Sequence, residues 1–168
     1  PEHLHELPEI ERQAALLFRG WDVPHSVLEE TTPLEEFQDV QEAGLLWVAL
    51  SPQHHPVGFA LVERAGSLLH LEEIDVHPHH GRRGIGTALV ESVCAWARGC
   101  GCTHITLTTY RNIPWNEPFY ARLGRFPGKV IPLYSAGHDE DASKRQNAVE
   151  STTAEESRRG SCTTSALA

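Results

Sequence analysis

The stretch Leu71–Leu89 reads L-E-E-I-D-V-H-P-H-H-G-R-R-G-I-G-T-A-L. Its first part, with Leu68–Leu71 and Ile74–Val76, has the apolar and β-branched texture of a strand. Three glycines follow, Gly81, Gly84 and Gly86, with Arg82 and Arg83 between them. From Gly84 onward Ile85, Ala88, Leu89, Val93, Trp96 and Ala97 recur along one helical face. The segment is therefore a strand, a glycine-rich turn and the start of a helix. The first-turn N–H groups of such a helix have no partner within it, and the helix dipole adds partial positive charge. The glycines leave the backbone approachable, and the two arginines add permanent charge. These are the components of a pyrophosphate cradle at Gly81, Arg82, Arg83, Gly84, Ile85, Gly86 and Thr87.

Two other phosphate-binding loops are disfavoured. A Walker A loop requires Gly-Lys-Ser/Thr, and that tripeptide does not occur. A dinucleotide fingerprint requires G-x-G-x-x-G, but Leu89 stands at the third position after Gly86. The plain alternative is a tight strand-to-helix turn with two exposed arginines, which the loop alone does not exclude.

Upstream, apolar spacing predicts a helix over Leu7–Phe18, broken at Trp21-Asp22-Val23-Pro24. A second helix is predicted over Pro33–Ala43, with Thr32 as N-cap and Gly44 as its stop. Three apolar runs follow, Leu45–Leu50, Val57–Val62 and Leu68–Val76, separated by turn residues, as in an antiparallel meander. Downstream, Gly99-Cys100-Gly101 ends the long helix and His104–Tyr110 forms another strand. Strand, helix, strand makes a βαβ unit, so these two strands are expected to be parallel. A last helix covers roughly Trp115–Leu123, with Phe119 and Tyr120 on one side. The fold class expected is α/β, a mixed, mostly antiparallel sheet flanked by helices. Trp47, Phe59 and Trp96 read as core.

Residues 1–135 are expected to form one domain. Val130–Tyr134 is strand-like, but in 136–168 Val149 and Leu167 are the only large aliphatics and no aromatic occurs. Such a segment buries too little apolar surface to offset its ordering entropy, so 136–168 is expected to be a disordered tail. The formal charge of −9 argues against nucleic acid, whose phosphates need a basic surface. No stretch is apolar and long enough to span a bilayer, and Pro1–Ile10 has no apolar signal core. A cytoplasmic location is expected, without a membrane partner. Four cysteines lack metal or redox spacing, the histidines form no H-E-x-x-H pattern, and no metal is expected.

The cradle resembles the acetyl-CoA-binding motif of the GNAT superfamily of N-acetyltransferases, R/Q-x-x-G-x-G/A after a strand ending V-x-P. Here Val76-His77-Pro78 ends the strand and Arg83-Gly84-Ile85-Gly86 opens the helix, with Gly81 where the family has Arg or Gln. Pro114–Gly124 resembles the family's late motif, a helix that ends on a tyrosine. The likeness covers Leu7 to Phe126 in matching order. It implies a sheet whose central strands splay, with the pantetheine arm of acetyl-CoA between them. The backbone of Ile74, Asp75 and Val76 would pair with the pantetheine amides, and an N–H there would face the oxyanion of the tetrahedral intermediate.

The implied reaction is acetyl transfer from acetyl-CoA to a primary amine, on a small molecule or a protein. An ammonium is not a nucleophile, so its proton needs an acceptor: Glu72, Glu73 or, third, Asp75. Strand alternation sends neighbours among these acids to opposite faces. Tyr120 matches the family's general-acid tyrosine, which would protonate the leaving thiolate. Asn116 would bond the pantetheine or hold the tyrosine, with Asn112 the weaker option. Trp21 reads either as packing or as a border of the acceptor pocket. A homodimer is compatible with the family. The alternative to an enzyme is a degenerate CoA-binding sensor or interaction domain, against which Tyr120 and the acids argue.

Overall fold

The computed structural model describes residues 3–66, 68–102, 104–110, 112–123 and 129–135. The polar segment 136–168, expected to be a disordered tail, lies outside the described residues. The elements run α1 (Leu7–Ala15), α2 (Ser26–Glu29), α3 (Leu34–Glu42), β1 (Leu46–Leu50), β2 (Pro56–Ala65), β3 (Leu68–Val76), α4 (Ile85–Gly99), β4 (His104–Tyr110), α5 (Asn116–Leu123) and β5 (Lys129–Ser135). The strands form one mixed sheet in the order β1-β2-β3-β4-β5. The β1–β2 and β2–β3 ladders are antiparallel, whereas β3–β4 and β4–β5 are parallel. The α/β class with helices flanking a mixed sheet is thus observed.

Two glycine stops set the helix ends as the sequence implies. Gly44 (φ +72°) and Gly101 (φ +73°) adopt the left-handed conformation just past α3 and α4. After α3, Gly44 N–H bonds Gln41 O and Leu45 N–H bonds Val40 O; after α4, Gly101 N–H bonds Arg98 O and Cys102 N–H bonds Ala97 O. Both are Schellman closures, which satisfy the last carbonyls and turn the chain into the next strand.

Several boundaries differ from expectation. Helix α1 tightens into a 3₁₀ turn over Leu16–Phe18, and α2 is a short turn that the sequence pattern did not mark. Strand β2 runs on to Ala65, beyond Val62. Pro33, with ψ 148°, holds the N-cap position of α3 instead of Thr32. Thr32 is committed elsewhere: its N–H donates to both carboxylate oxygens of Glu11, at 2.9 and 3.1 Å, and its hydroxyl donates at 3.2 Å. An N-cap threonine would accept from a helix N–H, whereas here its N–H and hydroxyl are drawn as donors to a charged carboxylate on α1.

The sheet has a core on each side. On one, α4 and α5 cover Ala60, Val62, Leu69, Leu71, Ile105 and Leu107. Leu89, Val90, Val93, Cys94 and Ala97 are the buried residues of α4; Ala88, expected on that face, is exposed, and Val90 and Cys94 take its place. Trp47 and Trp96 stack edge-on at 5.6 Å at the border of this core rather than in its centre. On the other side α1 and α3 cover Phe59 and Leu61 with Leu7, Ile10 and Phe37.

The central feature is a bulge in β3. Leu61 pairs with Glu73 and Val62 with Leu71, leaving Glu72 as the extra residue. The parallel β3–β4 ladder spans only Leu68↔His104 to Leu71↔Leu107. From Glu72 to Val76, β3 holds β2 alone. The splay expected between the central strands is therefore present, and it starts at the bulge.

Phe37 and Phe59 are both fully buried and meet edge-to-face at 5.1 Å. Phe59→Ala should cost about 3–5 kcal/mol of stability by leaving a cavity under α1 and α3. Urea denaturation measures this; a loss below about 1 kcal/mol would show that the two helices collapse onto the sheet without it.

Candidate active site

Helix α4 begins at the mouth of the splay. Gly84, at its N-cap, has φ +84° and Arg82 has φ +58°. These two left-handed residues form the tight turn that carries the chain from β3 into α4. A non-glycine residue holds such a conformation at a cost of roughly 1 kcal/mol, so the strain at Arg82 is local and specific. The first helical bond runs from Ala88 N–H to Gly84 O at 2.9 Å, which places the amides of Ile85, Gly86 and Thr87 ahead of the ladder. Arg82 and Arg83 are exposed beside them. Gly81 and Gly86 are glycines for packing: a Cβ at Gly81 would lie 3.2 Å from Pro78 O, and one at Gly86 would lie 3.3 Å from the Phe119 ring and 3.8 Å from Val76. Gly86 thus lets α4, α5 and the end of β3 approach one another.

Across the splay, Tyr120 of α5 is buried against the α4-side core. Burial pushes its phenol above the ordinary tyrosine range, and the negative charges of Glu73 and Asp75 push it further; a hydrogen bond with Thr109 of β4 acts in the opposite sense. Tyr120 therefore keeps its proton throughout the neutral range. Glu73 lies opposite Leu61 in the β2–β3 register, and Asp75 lies opposite Phe59. Both sit on the sheet face covered by α1 and α3, because cross-strand partners share a face. Glu72 borders a cleft with Leu61, Glu36 and Val40 on that same side. The expectation that Glu72 and Glu73 face opposite ways fails for a physical reason: the bulge inserts a residue and breaks the alternation.

Asp75 is 9% exposed, and its carboxyl has no hydrogen-bond or cationic partner among the described residues. Burial, then Glu73, then Glu11 push it well above the ordinary carboxyl range. Glu11, fastened by Thr32, is itself raised by burial, with Glu36 adding to the effect. The sequence pattern gave no sign of Glu11, which reads there as one polar position on an amphipathic helix. Thr109 was hidden in a β-branched run.

Other candidates take structural posts. The Asn116 side chain donates to Tyr110 O at 3.3 Å and ties α5 to the end of β4. Asn112 donates to Asp22 O at 2.8 Å, joining the β4–α5 loop to the loop after α1. Trp21 meets Trp115 edge-on at 5.7 Å, and Phe18 lies 6.1 Å from Trp115 and 6.4 Å from Tyr110. Trp21 and Trp115 are each 41% exposed, so this aromatic group braces two loops while keeping an open surface. His70, which the sequence reading passed over, is buried and meets Thr106 Oγ1 at 2.8 Å; that hydroxyl donates to Leu69 O at 3.2 Å. The pair clamps the last paired part of β3 and β4 just before they part.

A carboxyl raised on folding binds more protons in the folded state, so its contribution favours folding at low pH and is lost as pH rises. Stability should fall as pH rises from about 4 through the raised range of Asp75, and Asp75→Asn should flatten that fall. Thermal midpoints of both proteins across this range measure it. Parallel pH curves would mean that the carboxyl is compensated in solution.

The family model for the Acetyltransferase (GNAT) family matches residues 10–124. Among solved structures, the PaiA N-acetyltransferase from Thermoplasma acidophilum in complex with coenzyme A is similar with a TM-score of 0.65 at 17% identity, over 73% of this chain and 83% of that one. The ribosomal-protein-S18-alanine N-acetyltransferase from Escherichia coli is similar with a TM-score of 0.57 at 20% identity, over 72% and 70%. Ard1 from Thermoplasma volcanium gives 0.59 at 16% identity, over 74% and 76%. At these identities the likenesses concern the fold. The family match spans the cradle, the splay and α5 together, and the chain belongs to the GNAT family of acetyltransferases, whose acyl donor is acetyl-CoA.

Proposed function

We propose that this chain transfers the acetyl group of acetyl-CoA to a primary amine by direct attack. The observation that carries this reading is the end of the β3–β4 ladder at Leu71 and Leu107, with Tyr120, Glu73 and Asp75 gathered beside the opening. The residues present fit acetyl-CoA. The amides of Ile85, Gly86 and Thr87 and the charges of Arg82 and Arg83 suit its pyrophosphate. The β3 backbone at Ile74, Asp75 and Val76, free of β4, suits the amides of its pantetheine arm. Bound there, acetyl-CoA supplies an activated thioester.

The chain's own groups would divide the proton traffic. Glu73, or Glu72 through a water, accepts the proton that makes an ammonium unreactive. Tyr120, held protonated by its surroundings, donates to the leaving sulfur and recovers a proton from the acylated nitrogen. Asn116 acts at one remove, by holding α5 against β4. The acceptor is a small molecule or a protein amine. The free thiols Cys94, Cys100 and Cys102 suit a reducing compartment such as the cytoplasm.

Tyr120→Phe should lower kcat by about 10²–10⁴-fold while leaving acetyl-CoA affinity within about twofold. Because the phenol is raised above its ordinary value, wild-type kcat should show no alkaline loss attributable to Tyr120 below about pH 10. Full turnover in the variant would reduce Tyr120 to packing. Gly86→Val should weaken acetyl-CoA binding by more than about tenfold, since its side chain enters the space of Phe119 and the cradle. Isothermal titration of a folded variant checks this, and unchanged affinity would place the pyrophosphate elsewhere.

A further inference from the structure

On the reading that the splay is the reaction centre, we propose that the carboxyl of Asp75 anchors the acceptor's ammonium, and that the acceptor is an aliphatic amine with a second cationic centre and no carboxylate near either. Asp75 is nine-tenths buried on the half of β3 beyond the end of the β4 ladder, and no hydrogen-bond donor or cation among the described residues meets its carboxyl. A carboxyl buried without a partner holds its proton more tightly, and a ligand cation brought to it favours the ionised form.

Its electrostatic neighbours are Glu73 and Glu11, both acids. Glu11 is pinned by three contacts with Thr32, so its position is fixed rather than swung in from solvent. The line continues. Glu11 is influenced by Glu36 of α3, and Glu36 borders a cleft of about 370 Å³ with Asp39, Glu63 and Glu72. The one base on that cleft, Arg64, is engaged away from it: its Nε donates to Gly66 O at 3.1 Å and its guanidinium lies 5.9 Å from the Trp96 ring. Acids therefore outnumber bases along the sheet face under α1 and α3, where Arg12 acts on Glu11 and His70 lies 3.8 Å from Glu72.

A doubly cationic ligand at Asp75 has acids on the same side of the sheet to meet its second charge. A ligand carrying a carboxylate beside its amine meets like charge at Asp75, Glu73 and Glu11, which works against binding. Free amino acids are disfavoured on this ground. Diamines, longer polyamines and lysine side chains in basic surroundings fit.

The test compares three acceptors of similar length, 1,4-diaminobutane, 1-aminobutane and 4-aminobutanoate, by release of the CoA thiol. The expected order of kcat/KM is diamine, then monoamine, then amino acid, each step about tenfold or more. Asp75→Asn should lower the diamine value by roughly 10–100-fold and narrow the gap to 4-aminobutanoate, with the KM for acetyl-CoA unchanged. Glu11→Gln, at a less buried site, should lower the preference for diamine over monoamine. A second readout needs no turnover: 1,4-diaminobutane should raise the thermal midpoint of the wild-type protein and not that of Asp75→Asn. Equal use of 4-aminobutanoate, or an Asp75→Asn variant with wild-type selectivity and shift, would overturn the anchor while leaving acetyl transfer intact. Absence of acetyl-CoA binding with a diamine shift that depends on Asp75 would sink the acetyltransferase reading and keep the cation site.

Discussion

The structure depends on where one ladder of hydrogen bonds stops. Leu68–Leu71 of β3 pair with His104–Leu107 of β4, and then the pairing ends. Two devices enforce this. His70 and Thr106 lock the paired half through a side-chain contact at 2.8 Å. Immediately after it, the extra residue Glu72 shifts the register of β3 against β2 and increases local twist. A strand clamped on one side of a bulge and free on the other diverges from its neighbour. The gap would expose backbone donors and acceptors to an apolar interior unless a ligand or water met them. A fold that keeps such a gap is built to receive something in it.

Other contacts fix the elements that border that gap. Gly86, where a Cβ would crowd the Phe119 ring at 3.3 Å, lets α4 and α5 come together at its rim. Asn116 fastens α5 to Tyr110 at the end of β4, and Asn112 and the Trp21–Trp115 contact brace the loops beyond. On the opposite face, Phe37 and Phe59 carry α1 and α3 onto β2. That packing brings Glu11 within electrostatic reach of Asp75, a pairing no local interaction would favour.

Much of this was legible in the chain. The strand β3 and its continuation into a glycine turn and helix are written in Leu68–Gly86, because period-two and period-3.6 patterns change there within a few residues. The stops at Gly44 and Gly101 follow from the left-handed conformation that glycine tolerates best. What could not be read depends on tertiary partners. Nothing in L-E-E-I-D-V marks Glu72 as a bulge; only the register against Leu61 and Val62 does. Thr32 has the chemistry of an N-cap and is captured by Glu11, a residue twenty-one positions away. The roles of Thr109 and Glu11 beside the central acids rest likewise on contacts between distant elements.

The charges at the two sides of the gap are opposite, and this bears on order and direction. The α4 side presents Arg82, Arg83 and the start of a helix dipole, whereas the α1 side presents Glu11, Glu73 and Asp75. On the proposed reading, an anionic donor and a cationic acceptor would be drawn to different faces of the same opening and would meet beside Tyr120, which lies in the field of the β3 acids. Acetylation would remove the charge of the nitrogen it modifies and leave the acceptor's second cationic centre. The product amide would offer Asp75 no cation in place of the ammonium proposed to bind there, and the carboxyl would again hold its proton tightly beside Glu73 and Glu11. The groups proposed to favour the doubly cationic amine would hold its acetylated product, with one charge fewer, less tightly, so the charge change itself would favour release.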